Sequence, residues 1–123
     1  MLQFHYHAHP LRVHGYPTAY APLVSTGCVS PGNPTLKDDV QNIRDVLEPL
    51  VKEEKDVIVI GHSAGGPLGA SATKGLSLKE RKKTEMTGGV NKFVFLTAGS
   101  VPPGWRHPEV LDFYDIQVNY PHF

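Results

Sequence analysis

The sequence is short of charge imbalance, of cysteine and of any long apolar run, and each shortage removes a class of protein. Lys and Arg together number 12, as do Asp and Glu, so the formal net charge is zero. A chain without net charge has no long-range field to draw in nucleic acid or an anionic membrane surface. Cys28 is the single cysteine, which leaves no internal disulfide, no thiolate metal set and no redox pair, and suits a reducing compartment. No apolar stretch is long enough to span a bilayer, and Met1 to Pro10 lacks the basic start and uninterrupted apolar stretch of a secretory signal. These absences predict a soluble, cytoplasmic protein without nucleic-acid or membrane partners. Nothing in them sets an oligomeric state.

What is present suits one small globular domain. The 123 residues are 40% hydrophobic and 9% aromatic, and a chain of this size buries roughly two thirds of the surface its unfolded form exposes. The 11 prolines and 12 glycines imply many turns. His5, His7 and His9 alternate near the start and share one face if that segment is a strand. No carboxylate or cysteine stands near enough in sequence to complete a metal set, so a frayed terminus, and no metal, is expected there.

Further along, local signals place the elements. Pro17 and Pro22 restrict the apolar stretch Tyr16–Val24 to a short strand or extended segment, and Ser25–Pro34 forms a loop. Thr35 with Asp38 three residues later makes a capping-box start. Behind it Leu36, Val40, Ile43, Val46, Leu47 and Leu50 recur at helical spacing, so one face of this helix should pack on a sheet. Pro49 should loosen its last turn. Val57-Ile58-Val59-Ile60 is an unbroken β-branched run, the pattern of a parallel strand covered on both faces. Pro67–Leu76 is a small-residue helix with Gly75 near its end. Ser77 and Glu80 repeat the capping-box pattern ahead of a short helix over Leu78–Met86, whose Lys79, Arg81, Lys82 and Lys83 form a solvated basic face. Phe93-Val94-Phe95-Leu96 is a second buried parallel strand, and two strands bracketing helical patterns predict a βαβ crossover. After Pro102-Pro103 no clear periodicity continues.

Chemistry concentrates between the first of these strands and the helix after it. Gly61-His62-Ser63-Ala64-Gly65 matches Gly-x-Ser-x-Gly, and a buried strand before it with a helix behind it is the context that a nucleophile elbow requires. Gly61, Gly65 and Gly66 would remove side chains from a sharp turn that presents Ser63 Oγ as the nucleophile. Ala64 N–H would be the first oxyanion donor, aided by the positive end of the helix. His62 should point away across the turn and serve structure.

On these motifs the chain resembles the α/β-hydrolase superfamily, of the AB hydrolase-1 type and esterase-like. The resemblance runs over residues 15–104, carried by Gly15-Tyr16-Pro17, Thr35–Val40, Val57–Gly66 and Lys92–Pro103. It implies an α/β fold, a partial α/β-hydrolase core with a mostly parallel sheet flanked by helices, occupying residues 1–123 as a single domain in which 1–14 and 105–123 stay poorly assigned. It also implies a serine hydrolase acting through Ser63 on a small-molecule ester or related acyl substrate, with no organic cofactor and no metal.

The family domain is longer, so the chain is expected to be a truncated member lacking N-terminal strands, the second oxyanion loop and the C-terminal acid and histidine. In the family order the acid and then the histidine follow the serine. Asp112, Asp115, His107 and His122 are the residues of this sequence available for those roles, without a visible scaffold to place them. The alternative is a noncatalytic hydrolase fragment that serves as a binding or interaction protein.

Overall fold

The computed structural model describes residues 5–27, 32 and 34–99, with the side chains of residues 5–7 left aside. In chain order the elements are α1 (His5–Val13), α2 (Leu36–Lys52), β1 (Asp56–His62), α3 (Gly65–Ala72), α4 (Leu78–Lys82) and β2 (Gly89–Leu96). The architecture is α/β: β1 and β2 are parallel neighbours, and α3 and α4 form the connection between them. Val57 pairs with Val90, Ile58 with Lys92 and His62 with Leu96, the register shifting once between Val57 and Ile58. A parallel sheet with helices packed on it is compatible with a partial α/β-hydrolase core.

Helix α2 starts where the capping signal places it. Asp38 Oδ2 accepts from Thr35 N at 2.6 Å and from Thr35 Oγ1 at 2.8 Å, closing the first turn. The backbone N–H and then the hydroxyl of Thr35 hold the Asp38 carboxyl below the usual range. The helix continues past Pro49, with Glu53 N donating to Pro49 O at 2.9 Å. Its Ile43, Leu47 and Val51 meet Leu68 and Ala72 of α3, then Leu76 and Val90, in one buried cluster. Val57 and Val59 of β1 pack against that cluster from the sheet side. Helix α3 lies close on the strands because its inner side is small. A Cβ at Gly69 would stand 3.0 Å from Phe93 Cζ, and Ala70 and Ala72 are fully buried.

Several expectations are corrected by this arrangement. The segment carrying His5, His7 and His9 is helical rather than a strand, so the period-two pattern does not apply to it. Of the two alternatives for Tyr16–Val24 the strand does not form, and residues 16–23 carry no regular structure. This stretch is tied to α2, with Asn42 Nδ2 donating to Pro22 O at 2.7 Å and Ala21 and Leu23 packed on the core. Pro17 and Pro22 lack the N–H groups that a ladder needs.

Helix α3 begins at Gly65, two residues before Pro67, and α4 stops at Lys82. Arg81 does not join a solvated face: it donates to Gly88 O at 2.8 Å, Thr87 O at 3.0 Å and Val51 O at 3.3 Å. One guanidinium fork thereby joins the end of α2 to the start of β2. The strands are covered on one face only among the described residues. Ile58 is 60% exposed, Ile60 49% and Val94 38%.

A buried carboxylate that the periodicity did not single out fixes the loop ahead of α2. Asp39 is 0% exposed, and its two oxygens accept from Ser25 N at 2.9 Å and Ser25 Oγ at 2.6 Å. Replacing Asp39 by Ala orphans both donors, and each such loss costs on the order of 1–3 kcal/mol. Urea denaturation of D39A is expected to show a lowered midpoint with the slope unchanged. A midpoint equal to that of the parent would mean that the Ser25 turn is not held by this carboxylate.

Candidate functional site

The site is built where β1 runs out and α3 begins. Ser63 sits between them at φ 51°, a left-handed conformation that costs a non-glycine residue about 1–3 kcal/mol. Hydrogen bonds on both sides maintain it: Ser63 N donates to Leu96 O of β2 at 3.3 Å, and Ser63 O accepts from Gly66 N at 3.0 Å. The serine is thus pinned to the neighbouring strand and to the first turn of α3, while its side chain stands exposed. Ala64 is exposed beside it and is the N-cap of α3. The N–H groups at such a helix start lie before the first closed turn and point toward the chain's approach. That end of the helix carries a partial positive charge, which favours an anion formed beside Ser63.

The glycines divide into two that the turn requires and one that it does not. A Cβ on Gly61 would lie 2.6 Å from Gly65 O and 2.8 Å from Gly66 Cα, and one on Gly66 would lie 2.6 Å from Ala98 Cβ. At Gly65 nothing stands within 4 Å. The expectation that Gly65 removes a clash is therefore corrected: its Cβ would project into open space. His62 is half-buried at the last position of β1, paired with Leu96. Thr97, just past β2, is also left-handed at φ 44°, so the ends of both strands carry a strained residue at the same edge of the sheet. Sequence reasoning missed Thr97, because threonine is an ordinary strand residue and only the following Ala98-Gly99 marks a turn.

Of the residues singled out from sequence, Gly61, His62, Ser63, Ala64, Gly65 and Gly66 come together in this strand–turn–helix. His107, Asp112, Asp115 and His122 lie outside the described residues. His14 is engaged locally, its Nδ1 donating to Pro10 O at 2.8 Å. Among the described residues no group of three or more His, Cys, Asp or Glu is arranged to hold a metal ion. A depression of about 290 Å³ is lined by Ser77, Leu78, Lys79, Lys82, Val90 and Asn91. It opens at the start of β2, the opposite end of the strands from Ser63, and takes no part in this site. No helix among the described residues is long and apolar enough to cross a membrane.

The described residues form an α/β arrangement with a left-handed serine between a parallel strand and a small-residue helix. The chain is 37% identical over 75 residues to Alpha/beta hydrolase nvfD of Aspergillus novofumigatus (strain IBT 16806). The match covers 61% of this chain and 29% of that protein, so the chain spans less than a third of the length of the relative it matches. This similarity supports a relationship to the α/β-hydrolases at the level of the family. No family model matches the sequence, and no solved structure matches it.

Proposed function

We propose that the chain is a serine hydrolase of the α/β-hydrolase type that acts on a carboxyl ester or related acyl substrate through Ser63. The observation that carries the proposal is the left-handed, exposed Ser63 held by hydrogen bonds to β2 and α3. A strained backbone at a strand–helix junction is maintained at an energetic cost, and a nucleophile that must project into solvent gives that cost a use.

In the reaction Ser63 Oγ attacks the acyl carbon as its proton passes to a general base, and the carbonyl oxygen takes the negative charge. Ala64 N–H and the positive end of α3 stabilise that oxyanion. Its collapse breaks the bond to the leaving alcohol, which takes the proton from the base and departs. Water, deprotonated by the same base, then releases the acid and restores Ser63. By the order serine, acid, histidine, Asp112 or Asp115 with His122 fills the remaining roles, and His107 is the other imidazole available after Ser63. No metal or organic cofactor enters this sequence of steps. A second reading, a noncatalytic hydrolase fragment that binds a partner, is favoured by the apolar sheet face left open at Ile58 and Ile60.

Labelling by a fluorophosphonate probe tests the proposal, because the probe reports an activated serine without a guess at the acyl group. Rapid labelling of the full chain, absent in Ser63→Ala, is the expected result. No labelling of a chain shown by circular dichroism to be folded would overturn the catalytic reading and leave the binding one.

A further inference from the structure

Both strands run out into a left-handed residue at the same edge of the sheet, Ser63 after β1 and Thr97 after β2. Among the described residues the non-glycine positions with positive φ are Glu54, Ser63, Glu85 and Thr97. Glu54 and Glu85 close the turns at the ends of α2 and α4. Lys55 N donates to Leu50 O at 3.1 Å and Met86 N to Arg81 O at 3.1 Å across them, the bonds that a left-handed residue makes possible past a helix. Thr97, at φ 44°, closes no helix. It is also the one β-branched residue among the four, the type for which this conformation is an outlier.

Its neighbours place Thr97 beside Ser63. Leu96, just before it, pairs with His62 and accepts the Ser63 N–H at 3.3 Å, so Thr97 follows β2 as Ser63 follows β1. Ala98, just after it, is what a Cβ on Gly66 would meet at 2.6 Å, so the chain past Thr97 lies against the first turn of α3. Neighbouring strands stand about 4.8 Å apart, a separation that one side chain spans. Ser63 and Thr97 are both exposed, and no described residue hydrogen-bonds to the Thr97 hydroxyl.

We propose that Thr97 contacts the substrate at Ser63, its hydroxyl hydrogen-bonding an oxygen close to the acyl carbon, so that the site prefers 2-oxygenated acyl groups to plain alkanoyl ones. The inference rests on the reading of Ser63 as a nucleophile and adds to it a substrate class. Glycine holds a left-handed backbone without strain, as Gly75 and Gly88 do at φ 74° and 67°. A threonine in that conformation lowers stability, and over glycine it supplies a methyl group and a hydroxyl. The methyl of an exposed residue buries little, which leaves the hydroxyl as the group that the strain maintains. A hydroxyl both donates and accepts, so hydroxy, alkoxy and keto oxygens all qualify. Its short reach confines them to the atoms beside the bond under attack.

Two 4-nitrophenyl esters test the proposal in the full chain, the methoxyacetate and the butanoate, whose acyl groups are equal in length and differ by an oxygen in place of a methylene. Release of 4-nitrophenolate gives kcat/KM for each, with the rate of Ser63→Ala subtracted. The ratio of methoxyacetate to butanoate is expected to fall by about threefold to tenfold in Thr97→Val, which keeps the branched shape and loses the hydroxyl. Thr97→Ser, which keeps the hydroxyl, is expected to retain the ratio of the parent. Thr97→Gly is expected to lose the preference while its urea midpoint rises, because the strain is relieved. An active chain whose ratio is the same in Thr97→Val would overturn this inference and leave the reading of Ser63 standing. A midpoint of Thr97→Gly no higher than that of the parent would overturn it too, since the strain that argues for the hydroxyl would be absent. No turnover of either ester, with no fluorophosphonate labelling of a folded chain, would overturn the reading of Ser63 and this inference together.

Discussion

Gly61→Ala is expected to destabilise the chain by about 1–3 kcal/mol or more, whereas Gly65→Ala, four residues away, is expected to stabilise it by about 0.4–1 kcal/mol. The two substitutions add the same methyl group to the same turn. Gly61 does not have a positive φ, so alanine can adopt its backbone conformation, and the whole cost is steric. The added Cβ would meet Gly65 O at 2.6 Å and Gly66 Cα at 2.8 Å. Both obstacles are backbone atoms of the first turn of α3, unable to swing aside as a flexible side chain would. Relief requires α3 to back away from the end of β1, and that movement pulls on the bond from Gly66 N to Ser63 O that maintains the left-handed serine.

The added methyl at Gly65 meets nothing within 4 Å. It restricts the unfolded chain and improves helix propensity at the first position of α3. Urea denaturation of the two variants measures the difference. For Gly61→Ala, loss of fluorophosphonate labelling in the fraction that remains folded is a second readout. If the midpoints of both variants equal that of the parent, the close approach of strand to helix at the Ser63 turn is absent in solution.

Local features of the sequence were legible and long-range ones were not. Helix α2 could be placed to the residue because Thr35 and Asp38 sign its start and the spacing of Ile43 and Leu47 defines its inner face. The strand–turn–helix around Ser63 was equally plain, since a β-branched run, a Gly-x-Ser-x-Gly pattern and a small-residue stretch succeed one another directly. What a side chain meets across the fold leaves no such trace. The motif marks Gly65 and Gly66 alike, but only Gly66 is hemmed in, because Ala98 and Phe95 arrive from the end of β2.

Arg81 looked like one cation of a solvated cluster, yet its acceptors come from two distant stretches, the end of α2 and the turn before β2. The run Val57–Ile60 states that both faces of the strand are apolar but cannot state what covers them. The short, histidine-rich start fits period two by its histidines and a helix by its backbone. A pattern of nine residues in which polar and apolar groups mix does not decide between the two.

Leu68→Ala is expected to cost about 2–5 kcal/mol. That is a large part of the roughly 5–15 kcal/mol by which domains are stable at all. Leu68 is 2% exposed and is the largest fully buried side chain of the core. It projects from α3 into the cluster that α2 contributes through Ile43, Leu47 and Val51, with Val90 of β2 in the same group. The void left by its loss cannot be filled from within α3, whose inward neighbours Gly69, Ala70 and Ala72 have nothing to extend. Collapse would have to come from α2 or from the sheet, and both are fixed at their ends, α2 by the Thr35–Asp38 pair and by Arg81. The penalty should therefore lie in the upper half of the range.

The consequence for the site follows from position. Leu68 N donates to Ala64 O at 3.3 Å in the first full turn of α3, the turn whose start carries the proposed oxyanion donor. Loosening α3 against α2 therefore also loosens the N–H at Ala64. Urea denaturation of L68A is expected to show a lower midpoint at unchanged slope, and labelling of Ser63 in the folded fraction is expected to slow. A loss of stability below about 1 kcal/mol would mean that α3 does not pack on α2 in solution, and the support for the Ser63 turn would have to come from the sheet alone.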